Sequence, residues 1–116
     1  MSAERTERID WPRVWELRDE IGAEEFAEVV ELFLSETEAM AGALVRASPD
    51  ALEEELHALK GAALNLGFAQ LATLCAAGEQ RAAAGTGSMV SLTQILAAFR
   101  QSREEFLAGL DRGAAD

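Results

Sequence analysis

The sequence predicts an all-α protein, an antiparallel four-helix bundle with a short N-terminal capping helix. Its 116 residues include only two prolines and no tyrosine, and they are rich in the alanine, leucine and glutamate that favour helices. Apolar residues recur at helical spacing in successive segments, and no segment shows the alternation of a strand. A hydrophobic content of 49% is ample for a single core. We therefore predict one domain over residues 9–112, with flexible ends at residues 1–8 and 113–116.

A cap and a break mark the first two helices. Asp10 can cap a short helix that runs through about Asp19, and Gly22 interrupts it. A long helix then covers about residues 24–46. One stripe of that helix carries its core-facing residues, which are Phe26, Val30, Phe33, Thr37, Met40, Ala41 and Leu44.

The third helix has clear signals at both ends. Ser48 can cap it, Pro49 suits the first helical position, and Gly67 can take the left-handed conformation that ends a helix. Its apolar residues share one side, and they are Leu52, Leu56, Leu59, Ala63 and Leu66.

Two further helices complete the predicted bundle. The fourth covers about residues 68–84 and is expected to bury Leu71, Leu74, Cys75, Gly78 and Ala82. A loop follows at residues 85–88. The last helix covers about residues 89–110, with an apolar stripe of Leu92, Ile95, Leu96, Phe99, Phe106 and Leu107. Arg103 interrupts this stripe, and we expect its stem to lie along the stripe with the charge in water.

Composition excludes several classes of function. A net charge of −11 disfavours nucleic acid and anionic membranes as partners. No run of apolar residues is long enough to span a membrane, and the polar N-terminus lacks a secretory signal, so we expect a cytoplasmic location. One histidine and one cysteine do not make a usual metal site, and the loop at 85–88 lacks a nucleotide-binding cradle. We expect this chain to bind no cofactor and to have no autonomous kinase activity.

The only histidine lies on the exposed side of the third helix. At 100° per residue, Lys60, Gly61 and Leu64 lie within about 60° of His57, whereas the apolar set centres roughly 140° away. An accessible neutral imidazole is a nucleophile near physiological pH, and the Lys60 ammonium could neutralise an anion attached to it. This face suits a transient phosphoryl carrier, with attachment expected at Nε2.

Three neighbours of His57 have both a functional and an ordinary interpretation. Gly61 costs a helix about 0.5–1 kcal/mol relative to alanine, so its position calls for an advantage, such as space for a second protein's active site. Leu64 is either part of a docking patch or an ordinary exposed leucine. Glu79 reaches the level of His57 when the chain folds back near Phe68, and we predict that it is the partner of the other imidazole nitrogen, although an exposed helical glutamate is the ordinary alternative.

The same residues resemble the histidine-containing phosphotransfer (HPt) domain family. Its pattern of His, any residue, Leu, Lys, Gly and two small residues, with a further Gly ten residues after the His, is matched by His57, Leu59, Lys60, Gly61, Ala62, Ala63 and Gly67. Further matches are Asn65, Leu71, Leu74, Cys75 and Glu79. The resemblance implies that His57 accepts a phosphoryl group from the phosphoaspartate of a response-regulator receiver domain and passes it to another. It also implies that Mg²⁺ and most catalytic groups belong to the receiver. A hybrid sensor kinase is a further candidate partner, and we favour a monomer.

Two other functions stay open at this point. A non-phosphorylated helical adaptor could bind a receiver or kinase through the same face, and a plain structural bundle would need no face at all. His57 together with Lys60 favours transfer, because docking alone requires no imidazole. The dimerising phosphoacceptor domain of sensor kinases fits less well, since Ala58 stands where that family has an acidic residue and no proline follows Pro49.

Overall fold

A computed structural model describes residues 7–115, and this part of the chain is helical throughout apart from short connections. Helix α1 spans Trp11–Ile21, α2 Ala23–Arg46, α3 Pro49–Leu66, α4 Ala69–Ala83 and α5 Leu92–Ala115, and a short 3-10 turn covers Gly87–Met89. The all-α prediction is confirmed. Within the described range, none of the helices combines the length and apolar character needed to cross a membrane.

The four longer helices surround one core. Helix α3 packs against α2 and α4, α5 packs against the same two helices, and α1 lies against α2 and α3. Gly78 of α4 lies against Leu56 of α3, and Glu79 lies against His57, so α3 and α4 form an antiparallel hairpin around Gly67. The core draws on every part of the bundle, and its largest fully buried apolar residues are Val14, Leu44, Leu56, Leu59, Leu66, Phe68, Leu71 and Phe106.

The predicted caps of the first and third helices are present. Asp10 Oδ1 accepts from the Arg13 N–H at 3.3 Å, and Ser48 Oγ accepts from the Ala51 N–H at 3.3 Å. Gly67 ends α3 with φ +82°, and the Phe68 N–H donates to the Ala63 carbonyl at 2.8 Å. The ends of α3 are therefore fixed by local chemistry.

The last helix differs from its prediction. It begins at Leu92 instead of about residue 89, because Ser91 Oγ accepts from the Gln94 N–H at 3.2 Å and caps it there. Leu107 was expected in the core but is 41% exposed. The buried line instead passes through Ser102, Phe106 and Gly109, because the Trp11 ring packs directly on Gly109. Arg103 has an exposed head 3.9 Å from Glu38, as expected for a charge in water.

The structure describes Arg8 and residues 113–115, which lie outside the predicted domain of residues 9–112. Arg8, assigned to the flexible leader, donates from Nε to Gln70 Oε1 at 3.0 Å and from Nη1 to Glu105 Oε1 at 2.9 Å. At the other end, α5 continues through Ala115. Residues 1–6 and 116, also in the predicted flexible ends, lie outside the described residues.

Candidate functional site

The α3 helix presents His57 to solvent. The side chain is 68% exposed, while Leu56 and Leu59 on the other side of the helix are fully buried. The helix is therefore held by its apolar side, and the imidazole is accessible to a second protein. This is the orientation that helical spacing predicted.

Glu79 of α4 joins His57 and Lys60 into one cluster. Its Oε2 lies 2.8 Å from His57 Nδ1, and its Oε1 lies 2.9 Å from Lys60 Nζ. The carboxylate thus bridges two α3 side chains one turn apart. Sequence reasoning placed Glu79 beside His57 but aimed Lys60 at a bound phosphate, whereas the ammonium is engaged with Glu79.

The ionised Glu79 carboxylate determines which imidazole nitrogen carries a proton. The hydrogen bond from Lys60, followed by the one from His57, holds the pKa of Glu79 below its usual value. An ionised carboxylate can only accept hydrogen bonds, so His57 Nδ1 carries the proton. In the neutral ring the lone pair then lies on Nε2, at the other side of the ring from Glu79. The nitrogen available for bond formation is therefore Nε2.

Gly61 and Leu64 continue the exposed face beyond His57. A Cβ added at Gly61 would have nothing within 4 Å outside its own helix and chain neighbours, and Leu64 is 56% exposed. Both residues line a groove of about 640 Å³ between α3 and α2. Its other lining residues are Arg13, Phe33, Glu36, Thr37, Met40, Ala58, Ala62 and Asn65.

Sequence reasoning missed this groove because its shape depends on how α2 packs against α3. The available signal was the position of Phe33 and Met40, which lie at the border of the α2 stripe and are only partly buried. Arg13 closes one end of the groove, donating from Nη2 to Asn65 Oδ1 at 2.9 Å. This bond ties α1 to the last turn of α3.

Cys75 plays no part in the cluster of His57, Lys60 and Glu79. It is fully buried, and burial, with a smaller contribution from Glu79, raises the pKa of its thiol to about 12. The protonated thiol is a core residue, as predicted, because the thiolate is the reactive form of cysteine.

Comparison with protein families gives one match, the Hpt domain, over residues 28–112. The matched range contains α3, α4 and most of α2 and α5, and with them His57, Lys60 and Glu79. No curated protein and no solved structure matches the chain.

Proposed function

We propose, because this chain belongs to the Hpt domain family, that it carries a phosphoryl group on His57 between receiver domains. Membership makes the chain a phosphotransfer module of phosphorelay signalling, and domains of this family are phosphocarriers rather than kinases. The observation that carries the finer proposal is the bond between His57 Nδ1 and Glu79, which leaves an exposed Nε2 with its lone pair free.

The proposed reaction is a displacement at phosphorus. The Nε2 lone pair attacks the phosphoryl group of a receiver phosphoaspartate, and the bond between phosphorus and the aspartate oxygen breaks with its electron pair left on the carboxylate. The imidazole gains positive charge as the bond forms. Mg²⁺ in this scheme is held by the receiver, and the onward transfer is the same step in reverse with a second receiver.

Glu79 is proposed to stabilise the charge that develops on the ring. It already accepts the Nδ1 hydrogen bond before reaction, so no group has to reorganise when the imidazole becomes cationic. The same bond holds the ring in one tautomer and one orientation. Glu79 acts through His57 and is a positioning residue.

Lys60 supports this arrangement from the other carboxylate oxygen. Its 2.9 Å contact with Oε1 holds Glu79 ionised and directed at Nδ1. To neutralise a phosphoryl group, as the sequence predicted, the Lys60 ammonium would have to leave Glu79 or contact Glu79 and the phosphoryl group together. We propose that positioning Glu79 is the resting role of Lys60.

The receiver is proposed to approach over Gly61 and the adjoining groove. The open space at Gly61 admits a partner's active-site loops beside Nε2, and the exposed Leu64 offers apolar contact at the groove edge. A non-phosphorylated adaptor could use the same groove. It would have no need for the paired imidazole, so the cluster favours transfer.

The decisive test is His57→Gln. The wild-type chain, incubated with a panel of phosphorylated receivers or with phosphoramidate, is expected to gain acid-labile, base-stable phosphate, and the variant is expected to gain none. Far-ultraviolet circular dichroism should be unchanged because the side chain is exposed. A variant that still accepts phosphate would contradict the assignment, whereas a wild-type chain that binds receivers without labelling would support the adaptor.

A further inference from the structure

The exposed face of α3 carries negative charge on the N-terminal side of His57. Glu53 and Glu54 precede the histidine by four and three residues, the two spacings at which helix side chains are neighbours. Both glutamates are exposed. No ion pair engages either carboxylate among the described residues.

The positive charge on this helix is already compensated. Lys60 is the only lysine or arginine in α3, and its ammonium is bound to Glu79. A phosphoryl group attached to Nε2 would bring about two negative charges at neutral pH. It would therefore face the carboxylates of Glu53 and Glu54, which have no ion-pair partner among the described residues. The ammonium of Lys60 would offset little of this repulsion, because it is already bound to the Glu79 carboxylate.

We propose that Glu53 and Glu54 raise the transfer potential of phosphorylated His57, so that the phosphoryl group passes readily to a receiver. This inference rests on the proposed function. Transfer to His57 forms the bond between Nε2 and phosphorus and breaks the bond between phosphorus and the aspartate oxygen, and onward transfer reverses both changes. The two carboxylates repel the phosphoryl group only while it is on the histidine, so they shift the equilibrium toward the phosphorylated receiver.

A second use of the same carboxylates would be to attract a basic patch on the receiver. The two effects differ in what they change. Docking contacts alter how fast separated proteins reach equilibrium, but they leave the equilibrium constant between those separated proteins unchanged. Repulsion of the phosphoryl group alters the constant itself, so a measured equilibrium distinguishes the two.

The experiment compares Glu53→Gln and the double variant E53Q/E54Q with wild type. The matched control is Glu55→Gln, which removes the same charge from α3 about 160° around the helix from His57. A radiolabelled phosphoryl group is equilibrated between each chain and one receiver that labels wild type, at concentrations low enough to keep the proteins separate. Phospho-His57 and phosphoreceiver are then quantified.

At low ionic strength, the ratio of phospho-His57 to phosphoreceiver should rise about threefold in the single variant and about three- to tenfold in the double variant. In about 0.5 M salt the rise should largely vanish. The Glu55→Gln ratio should match wild type.

An unchanged ratio in the double variant would overturn the inference, as would a rise of equal size in Glu55→Gln. A slower approach to an unchanged ratio would assign the carboxylates to docking and overturn it too. A wild-type chain that no donor labels would instead contradict the proposed function, which separates the two failures.

Discussion

At the scale of single residues, Glu79 is the side chain proposed to position His57 and to stabilise its positive charge. Its carboxylate contacts both His57 Nδ1 and Lys60 Nζ. Glu79→Gln keeps the size and a hydrogen-bond acceptor but removes the charge that would stabilise a cationic ring. We expect phosphoryl acceptance to slow about tenfold, the difference between a hydrogen bond to a charged acceptor and one to a neutral acceptor. Single-turnover transfer from a phosphorylated receiver measures this rate.

The control for Glu79→Gln is Glu104→Gln. Glu104 is an exposed glutamate of α5, and its replacement removes the same charge far from the cluster in sequence. Equal rates in the two variants would show that Glu79 does not act on the imidazole.

Lys60 is testable through the titration of Glu79. The lysine hydrogen bond is the largest cause that lowers the pKa of Glu79, so Lys60→Met should raise that pKa toward its ordinary value. Folding depresses this pKa, so the carboxylate stabilises the fold above its ordinary pKa, and that stabilisation is lost as pH falls through the depressed value. In Lys60→Met this stabilisation should be smaller, and its loss on acidification should be complete at a higher pH than in wild type.

Carbon-13 NMR of the Glu79 carboxyl group reads this shift directly. The same variant should accept phosphate more slowly than wild type without losing the site, because Lys60 does not form the new bond. An unmoved Glu79 titration would remove Lys60 from the positioning role.

At the scale of helices, substitutions of Gly61 test whether the open space beside His57 is needed for a receiver to reach Nε2. Gly61→Ala should retain or raise the free energy of unfolding by about 0.5–1 kcal/mol, since alanine is the better helix former and its Cβ meets nothing within 4 Å outside its own turn. Gly61→Gln should fold equally well but slow receiver-dependent transfer by placing a long side chain beside Nε2. Thermal unfolding and transfer assays separate the effects. Normal transfer by Gly61→Gln would exclude steric access as the reason for this glycine.

Gly67 has the opposite character, because its backbone conformation and its surroundings both require glycine. Its φ is +82°, and an added Cβ would lie 2.9 Å from the Asp10 carbonyl oxygen. Gly67→Ala should lower the free energy of unfolding by about 2–4 kcal/mol, through left-handed strain and displacement of α1. Gly85→Ala is the matched control, with φ +83° and open space around it. If Gly67→Ala lowers the free energy of unfolding no more than Gly85→Ala does, then the displacement of α1 contributes nothing to the loss.

The elements that sequence reasoning predicted well have strong signals at their own ends. Helix α3 is capped by Ser48, has Pro49 at its first position and is ended by Gly67, and each of these residues acts on the backbone next to it. The start of α5 was misplaced because Ser91, its cap, follows a 3-10 turn that continues the apparent helical pattern. Leu107 was misplaced because the buried line of α5 passes through Ser102 and Gly109, and a search for large apolar residues overlooks both positions.

At the scale of the whole molecule, the charge of −11 opposes compaction. Raising NaCl from about 10 to about 200 mM should raise the midpoint of thermal unfolding by about 2–5 °C, because screening weakens self-repulsion over distances beyond the Debye length. Choline chloride at equal ionic strength should act alike, which separates screening from specific ion binding. A falling midpoint would show that ion pairs such as Arg8 with Glu105 outweigh the repulsion.

The candidate site divides into a part that the sequence could predict and a part that it could not. His57, Lys60, Gly61 and Leu64 share one helix, so helical periodicity alone places them on one face. Glu79 was placed beside His57 because both lie at similar distances from one turn. The partner of Lys60 and the groove against α2 depend on side-chain packing between helices, which no periodicity encodes.

The hairpin around Gly67 limits where residues can be inserted into this chain or deleted from it. His57 lies nine residues before the last residue of α3, and Glu79 lies ten residues after the first residue of α4, so the two side chains meet about 14–15 Å from the turn. One residue inserted into α4 ahead of Glu79 would move that carboxylate about 1.5 Å along its helix and 100° around it, away from Nδ1. Insertions and deletions within α3 or α4 between His57 and Glu79 should therefore slow phosphoryl transfer, whereas the exposed Gly85 loop can vary in length without this effect. The spacing of 22 residues between these two side chains is as much a part of the site as their identities.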